Sequence, residues 1–472
     1  MFTGSLESIA AATGGVVFQG HPTLPVRGVF TDTREPVPGG LFVALRGERY
    51  DGHRFVGPAR QAGAAAVMIS RMDALKALDG DAGCGAVLAP NTRQAYLALG
   101  AAHRLKLDHV RWFAVTASAG KTSVKEMLAQ ILSCGAGWKV HRAPRSFNNE
   151  IGVPATILAA DPTHRAVVLE LGTNHPGEIA LLAGVARPHV AILGNAGPVH
   201  LEAFGSVAGV AEEKSHILDC QGPGDVAVLN ADDPCYDLWA GRSKGRIVSF
   251  GCGPSGDVRG EALEERPGRG AHFIMCTGSR AVEVQLAVPG PHNVRNALAA
   301  AAAALGAHVS LEAVVAGLTA YRGMKRRFEV LEANGVRIID DAFNANPLSF
   351  HAALVALKTF AGRRLFVVAG DMLELGEQAE KLHEELGRWL ARIAPQAVLT
   401  VGGLAARAGE AAVREGLTSS AWASCGTPEE AAERLRPHLA PGDVVLVKGS
   451  HAMQMERCVA LLAERPALSA AG

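Results

Sequence analysis

The sequence lacks an excess of charge of either sign, because 46 Lys and Arg residues balance 46 Asp and Glu residues. No broad basic field is therefore available to attract nucleic acid or an anionic membrane, and an anionic ligand must be held by local geometry. The chain also lacks an apolar run near the roughly 20 residues of a membrane helix. Its start, "MFTGSLESIAAATGG", has neither the basic residues nor the apolar core of a signal peptide. We therefore expect a cytoplasmic protein that neither enters a membrane nor binds nucleic acid.

Paired cysteines are also missing. The eight cysteines are scattered singly, without a CxxC pair or another metal-ligand spacing. Isolated cysteines in a cytoplasmic chain predict buried, reduced thiols rather than disulfides or zinc ligands.

The chain does contain regular alternation of short apolar runs with amphipathic segments. A length of 472 residues predicts two or three domains. Apolar runs at 112–117, 166–172, 189–195 and 225–232 alternate with helical segments. This pattern predicts a doubly wound α/β domain with a parallel, nucleotide-binding sheet.

A second alternation begins after the basic segment at 321–330, with apolar runs at 336–343, 363–371, 396–403 and 443–450. Between the two lie a glycine-broken, strand-like stretch at 251–290 and an alanine-rich helix at 292–305. Residues 1–87 are too rich in loops to belong to either sheet. We therefore predict an α/β protein of three domains: a small N-terminal α/β domain at 1–87, a central P-loop domain with a doubly wound sheet at 88–323, and a C-terminal Rossmann-like α/β domain at 324–472.

The segment "VTASAGKTSVKEM", residues 115–127, has the features of a phosphate-binding loop except the glycine that usually stands six residues before the lysine, where Val115 is found. A strand is predicted to end at Thr116, and a helix to begin at Lys121, so free N–H groups at the helix start can hold phosphate oxygens. Lys121 would neutralise the terminal phosphates, and the Thr122 hydroxyl would bind Mg²⁺. An ordinary capped helix with an exposed lysine is the alternative.

Three further residues are candidates for the same site. Glu170 ends an apolar strand, where an acid is costly unless it is paired or binds a metal, and His200 follows the next strand. Lys214 lies on the helix after that histidine. Taken alone, they can also be a salt-bridged acid, a surface histidine and a solvated lysine.

These segments together resemble the Mur ligase family, ATP-dependent enzymes that form amide bonds in peptidoglycan precursor synthesis and carry a T-G-S-x-G-K-T loop. The resemblance covers nearly the whole chain. It is strongest to the members that join D-alanyl-D-alanine to a UDP-linked muramoyl-tripeptide through an acyl phosphate. The matching strings are "FNNEIGVP", "ELGTNHPGEI", "VHLEAFGS", "LNADD", "HNVRNALAA", "DDAFNANPLSF", "GDMLELGE" and "VKGS".

The resemblance implies roles for individual residues. It places Thr122 and Glu170 on one Mg²⁺ and His200 on a second, makes Lys214 the lysine that CO₂ carbamylates, and implies a monomer that acts on small molecules. The implied ATP-binding residues are Ser118, Ala119, Gly120, Lys121, Thr122, Ser123, Asn293, Asn296, Arg327, Asp341 and Asn344. The implied residues for the UDP-linked substrate and the incoming dipeptide are Thr33, Arg34, Asp51, Gly52, His53, Asn148, Asn149, Lys448 and Ser450.

The chain departs from the family pattern at several positions. Ala117 replaces the first glycine of the loop, and at positive φ its methyl group would cost about 1–2 kcal/mol. Thr173 is found where the family usually has an alanine, His216 where it has a glutamate, and His451 where it has an arginine. The last change removes a bidentate donor, so we expect substrate contacts at that end to differ most.

Three rival interpretations share the scaffold. The sister ligase that adds the third peptide residue carries a D-N-P-x motif in its third domain, which is absent here. Folylpolyglutamate synthase would lack the uridine-binding first domain. A non-catalytic nucleotide-binding protein is the third, and it is disfavoured because Lys121, Thr122, Glu170, His200 and Lys214 are all present.

Overall fold

The structure is a computed structural model that describes residues 1–47, 50–78, 83–144, 146–266, 270–360 and 362–464. The strands of the described residues form four sheets, with two, five, nine and six members. The α/β class predicted from the sequence is confirmed. Within these ranges, every helix is too short or too polar to cross a membrane.

The first unit has its own sheet, as expected for a small N-terminal α/β domain. Its strands are β1 (Thr3–Ser5), β2 (Val16–Gln19), β3 (Pro25–Arg27), β4 (Val29–Phe30), β5 (Leu41–Val43), β6 (Ala66–Ile69) and β7 (Gly85–Leu88), and its helices are α1 (Leu6–Thr13) and α2 (Val56–Gln61). Strands β1 and β3 pair separately, and the other five follow the order β2-β7-β6-β5-β4, parallel except at β2. Its strands are short and their connections are long, which explains why this segment is rich in loops.

The central unit contains the nine-stranded sheet. Its strands are β8 (Arg111–Thr116), β9 (Val140–Arg142), β10 (Ala166–Glu170), β11 (Val190–Leu193), β12 (Val226–Asn230), β13 (Arg246–Gly251), β14 (Val258–Arg266), β15 (Gly270–Thr277) and β16 (Arg280–Gln285). They follow the order β16-β15-β14-β13-β12-β11-β8-β10-β9. The sheet is parallel from β9 to β14, and β14, β15 and β16 then pair antiparallel. The stretch at 251–290 therefore extends the same sheet.

The helices of this unit cover both faces of the sheet. They are α3 (Thr92–Lys106), α4 (Lys121–Gln130), α5 (Gly152–Ala159), α6 (Glu178–Ala186), α7 (Leu201–Phe204), α8 (Val207–Ser215), α9 (Tyr236–Arg242), α10 (Pro291–Gly306) and α11 (Leu311–Ala320). One core lies under α4, α10 and α11, and a second lies on the opposite face, as expected for parallel strands that are apolar on both sides.

The third unit contains the six-stranded sheet. Its elements are β17 (Glu329–Ala333), β18 (Val336–Asp341), α12 (Pro347–Leu357), β19 (Leu365–Gly370), α13 (Ala379–Ile393), β20 (Ala397–Val401), α14 (Gly403–Arg414), β21 (Trp422–Cys425), α15 (Pro428–Leu435), β22 (Val444–Lys448) and α16 (Glu456–Ala463). The order is β17-β18-β22-β19-β20-β21, parallel except at β17. Residues 465–472, the end of the predicted third domain, lie outside the described residues.

Contacts near the predicted domain boundaries join neighbouring units. On α3, Tyr96 packs in the core of the first unit and Leu97 in that of the central unit. The amino group of Met1 donates to the Ala160 carbonyl at the end of α5. Gly323 has φ +90° between α11 and β17. The domain boundaries at 87 and 323 stay predictions.

Candidate active site

A cavity of about 920 Å³ lies where strands of the nine-stranded and six-stranded sheets end. The carboxyl ends of β8, β10, β18 and β22 meet there, as expected for ligand sites of parallel α/β sheets. Sixteen of the predicted site residues line it: Ser118, Ala119, Gly120, Lys121, Thr122, Ser123, Asn148, Asn149, Glu170, His200, Asn293, Asn296, Arg327, Asp341, Asn344 and Lys448. Residues more than 300 positions apart in the chain are thus brought together.

The loop between β8 and α4 has the predicted boundaries, since the strand ends at Thr116 and the helix begins at Lys121. Gly120 is the N-cap, with φ +87°, and no side chain caps the helix. A Cβ atom at Gly120 would lie 2.3 Å from Oδ1 of Asn296, so only glycine fits. The first N–H groups of α4 are therefore left to bind an anion in the cavity.

Lys121 folds back over this loop. Its Nζ donates to the Ala117 carbonyl at 2.6 Å. Burial lowers the pKa of Lys121, Arg327 lowers it further, and Glu170 opposes the shift. The ammonium group is therefore held beside the helix N-terminus and is poorly solvated, which strengthens its attraction for a phosphate.

Ala117 does not strain the loop. It is absent from the residues with positive φ, and its methyl group is fully buried. A Cβ atom at Gly194, on the neighbouring strand end, would lie 2.9 Å from the Ala117 Cβ. Gly194 thus provides the space for the methyl group, and the departure at 117 carries no backbone penalty.

Asn195 braces the loop and was not among the predicted residues. Its Oδ1 accepts from the Ala119 N–H and its Nδ2 donates to the Ala119 carbonyl, both at 2.9 Å. Nearby, the Gly197 N–H donates to the Ser118 hydroxyl at 3.0 Å. The position of Asn195 directly after an apolar strand, in "ILGN", was the available signal.

Glu170 is buried at the end of β10, and each of its carboxylate oxygens accepts a hydrogen bond. Its Oε2 accepts from the Thr122 hydroxyl at 2.8 Å, and its Oε1 accepts from Nδ2 of Asn148 at 2.9 Å. The predicted metal pair, Thr122 and Glu170, is therefore in direct contact. Asn148, assigned to the UDP-linked substrate, lies beside this pair.

Arg327 reaches the loop from the third unit. Its Nη2 donates to the Thr122 hydroxyl at 2.8 Å, and the guanidinium lies 4.1 Å from the centre of the Phe343 ring. Burial lowers the pKa of Arg327, while Glu170 and Asp341 oppose the shift. A second contact joins the same units, because Nδ2 of Asn346 donates to the Ser118 carbonyl at 3.3 Å.

Lys448 and Asp341 form a buried ion pair at the end of β18 and β22. Nζ of Lys448 lies 2.6 Å from Oδ2 of Asp341 and donates to the Asn344 carbonyl at 3.0 Å. Ser450 does not line the cavity. Its hydroxyl accepts from the Leu373 N–H at 2.9 Å, so it supports the loop after β19.

Lys214 is 2 % exposed and is not among the residues that line the cavity. No hydrogen bond or ion pair to its ammonium group occurs within the described part of the chain. Burial lowers the pKa of Lys214 well below its usual value, and the nearby Lys121 lowers it further. The adjacent Glu213 accepts instead from the N–H groups of Gly177 and Ile179, at 2.8 Å each. Lys214 is therefore not the solvated surface lysine of the alternative interpretation.

His200 lines the cavity with φ +49°. Its Nδ1 lies 2.6 Å from Oε2 of Glu374, a residue of the third unit that was not predicted. Burial lowers the pKa of His200, with Lys121 and Lys214 adding to the shift and Glu374 opposing it. These shifts place His200 electrostatically close to both lysines.

The predicted residues of the first unit lie outside the cavity. Asp51 Oδ1 is 2.7 Å from Nδ1 of His53, and Nε2 of His53 accepts from the Ser70 N–H at 3.0 Å. A Cβ atom at Gly52 would lie 2.6 Å from the Leu45 carbonyl oxygen, so this turn requires glycine.

Thr33 and Arg34 lie on the surface of the same unit. The Arg34 guanidinium is exposed and pairs with Asp32 at 2.6 Å. A link to the cavity exists, because Arg93 on α3 binds both the Arg46 carbonyl and the carboxylate of Glu150, which lines the cavity.

Two of the departures from the family pattern are on the periphery. His216 pairs with Asp219 at 2.7 Å and does not line the cavity. The His451 N–H donates to Oδ1 of Asn344 at 3.3 Å, and its ring lies 5.9 Å from that of Phe343. Thr173 lines the cavity and donates to the His175 carbonyl at 2.9 Å.

The site fits a metal held jointly with phosphate. Groups of three or more His, Cys, Asp or Glu able to hold a metal ion do not occur among the described residues. Mg²⁺ characteristically binds one or two carboxylates together with substrate phosphates and water. A buried carboxylate and hydroxyl beside an uncapped helix N-terminus, as at Glu170, Thr122 and Gly120, match that mode.

The fold and the cavity define an α/β protein in which a P-loop-like segment faces a second α/β unit across one cavity. The profiles that match the chain are the Mur ligase family catalytic domain at 25–118, the Mur ligase middle domain at 115–304, and the Mur ligase glutamate ligase domain at 326–451. The chain belongs to the Mur ligase family.

Known proteins are similar to this chain over most of its length. The UDP-N-acetylmuramoyl-tripeptide--D-alanyl-D-alanine ligase of Escherichia coli is 38 % identical, over 79 % of this chain and 81 % of that protein. A crystal structure of MurF from Acinetobacter baumannii has a TM-score of 0.89 at 33 % identity, covering 98 % of this chain and 100 % of that chain. MurF from Thermotoga maritima, in complex with ADP, has a TM-score of 0.81 at 28 % identity, covering 93 % and 97 %.

Proposed function

We propose that this protein is the ligase that joins D-alanyl-D-alanine to UDP-N-acetylmuramoyl-tripeptide at the expense of ATP. A terminal carboxylate oxygen of the tripeptide attacks the γ-phosphorus, the bond to the β,γ-bridging oxygen breaks, and ADP leaves. The dipeptide amine then attacks the acyl carbon and loses a proton, and the bond to phosphate breaks. The product is the UDP-linked pentapeptide of peptidoglycan precursor synthesis, formed in the cytoplasm by a monomer.

The contact of Arg327 with Thr122 is the observation that carries this proposal. A carboxylate and a triphosphate repel each other, so their approach requires fixed positive charge where negative charge accumulates. Lys121 and the N-terminus of α4 supply it from the central unit, and Arg327 supplies it from the third unit. Two units that meet on the phosphate loop also exclude water, which protects an acyl phosphate from hydrolysis.

The remaining predicted ATP-binding residues lie on two structural units. Asn293 and Asn296 line the cavity next to the phosphate loop, and we assign them to the adenine. Asp341 and Asn344 approach the nucleotide from the third unit. We therefore assign the base and the phosphates of one ATP molecule to this single cavity, which these four residues line.

For the metals, we assign Glu170 and Thr122 to one Mg²⁺, and His200 with carbamylated Lys214 to a second. When bound, Mg²⁺ would offset the charge that develops on the phosphates. Carbamylation requires a neutral amine. A buried lysine whose pKa is lowered by burial, and whose ammonium group has no hydrogen bond or ion pair among the described residues, meets that condition.

We assign the two ends of the peptide substrate to different units. The turn at Asp51, Gly52 and His53, with Thr33 and Arg34, would hold the UDP group in the first unit. The loop with Asn148 and Asn149 would hold the peptide, and Lys448 and Ser450 would lie near the incoming dipeptide. The link from Arg93 to Glu150 supports a path from the first unit to the cavity.

Phosphate release from ATP tests the proposal. Release is measured with UDP-muramoyl-tripeptide and D-alanyl-D-alanine, each omitted in turn, and the product mass is determined. We expect release that requires both substrates and a product one dipeptide heavier. Release that is indifferent to the dipeptide would contradict the assignment, and absence of turnover with all three substrates would favour the non-catalytic alternative.

A further inference from the structure

We propose that Glu374 is a positioning residue for His200, so that the second metal site of the proposed function is assembled from two structural units. Glu374 belongs to the loop between β19 and α13 of the third unit, and His200 precedes α7 of the central unit. Nδ1 of His200 and Oε2 of Glu374 are 2.6 Å apart. The inference rests on the assignment of His200 to a metal.

The loop that presents Glu374 is anchored at the two residues directly before it. The Met372 N–H donates to Nε2 of the buried His383 at 3.0 Å, and the Leu373 N–H donates to the Ser450 hydroxyl at 2.9 Å. The backbone leading to Glu374 is therefore fixed by two side chains of its own unit. A loop held in this way presents its side chain in a defined place.

The same loop docks on the segment that carries His200. Gly376 has φ +55°, and a Cβ atom there would lie 3.2 Å from the backbone of Glu202. Met372 and Leu375 share one hydrophobic core with Val199 and Leu201. The surfaces on both sides of the His200 contact are thus packed together.

Both residues of the pair have strained backbones. His200 has φ +49° and Glu374 has φ +63°. The left-handed region is unfavourable for residues other than glycine, and such conformations concentrate at functional sites. The Glu374 side chain is 60 % exposed, and a contact between charged or polar groups at such an exposed position contributes little to stability. Stability from the pair alone does not account for two strained residues.

A role for Glu374 in positioning the His200 imidazole does explain this contact. A carboxylate at Nδ1 favours a proton on that nitrogen and leaves the Nε2 lone pair available for a metal. Described residues place no hydrogen-bond partner on Nε2 of His200. A carboxylate behind a metal-binding histidine fixes its tautomer and orientation, and removing such a group weakens metal binding about 10- to 100-fold.

Mn²⁺ binding to the full-length protein with ADP, followed by the electron paramagnetic resonance signal of free Mn²⁺, tests the inference. We expect Glu374→Ala to weaken Mn²⁺ binding about tenfold or more. Glu374→Gln keeps an acceptor oxygen and should lose less. Glu377→Ala removes the same charge from an exposed position in the same region and should bind Mn²⁺ like the wild type.

A double-mutant cycle separates positioning from a structural effect. In a His200→Ala background, Glu374→Ala should have no further effect on Mn²⁺ binding. An equal loss in both backgrounds, unchanged binding, or tighter binding for Glu374→Ala would overturn the inference while leaving His200 as a ligand. Unchanged binding for His200→Ala would instead refute both the metal assignment and the inference.

Discussion

Arg327 and Thr122 are separated by 205 positions in the chain, and a 2.8 Å hydrogen bond joins the guanidinium of one to the hydroxyl of the other. Thr122 is in the first turn of α4, and Arg327 lies just beyond the turn at Gly323. The phosphate loop therefore receives a cation from a unit that does not contain it. Catalysis should then depend on Arg327 as strongly as on residues of the loop.

Replacing Arg327 should reduce the rate far more than it reduces stability. We expect Arg327→Ala to lower kcat about 10²- to 10³-fold, because a buried cation aimed at developing charge is lost. Arg327→Lys should recover little, since an ammonium cannot both stack on Phe343 and donate in the guanidinium geometry. Steady-state kinetics provide the measurement. Arg322→Ala, an exposed arginine nearby, is the control and should retain the wild-type rate.

The carbamate assignment predicts chemical rescue at Lys214. Lys214→Ala should lower activity about 10²-fold or more, because a metal-binding anion disappears. Added formate or acetate should restore part of the activity by occupying the vacated space. Phosphate release with and without the carboxylate is the readout. Lys244→Ala, at an exposed position, should neither lose activity nor respond to the carboxylate. Full activity of Lys214→Ala without rescue would exclude a carbamate.

The contact between Ala117 and Gly194 predicts a compensating pair. Gly194→Ala should destabilise the protein by about 1–3 kcal/mol, because the new Cβ would lie 2.9 Å from the Ala117 methyl carbon. Ala117→Gly alone should be mild, since it removes one buried methyl group. The double variant should regain most of the stability lost in Gly194→Ala. Thermal unfolding of the four proteins measures the coupling, and strictly additive effects would contradict it.

His383 predicts a loss of stability in acid. Burial lowers its pKa from the ordinary 6.5, so the folded protein keeps the ring neutral while the unfolded chain takes up a proton. Acidification through that window therefore favours unfolding. His383→Gln should lower the unfolding midpoint at pH 7.5 by several degrees, and the gap from wild type should narrow at pH 5.0. Calorimetry at both pH values measures this, with the exposed His438→Gln as control. A gap that widens in acid would refute the prediction.

Much of the nucleotide site could be predicted from the sequence because its determinants are local. The apolar run to Thr116, the small residues before Lys121 and the helix after it specify a strand, a loop and an uncapped helix within about 20 positions. Glu170 could be found for a related reason, since an acid at the end of an apolar strand must have a partner. The alternation of strands and helices likewise predicted both large α/β units.

Only the tertiary structure decided how these local pieces meet. It gave Ala117 a backbone without strain by placing Gly194 opposite, and it set Glu374 against His200. It also buried Lys214 without a hydrogen bond or ion pair from any residue that the structure describes. The physical reason is that sequence patterns encode local backbone preferences and which faces are buried. The distance between side chains on different units depends on how the sheets and loops pack, and no local pattern carries that information.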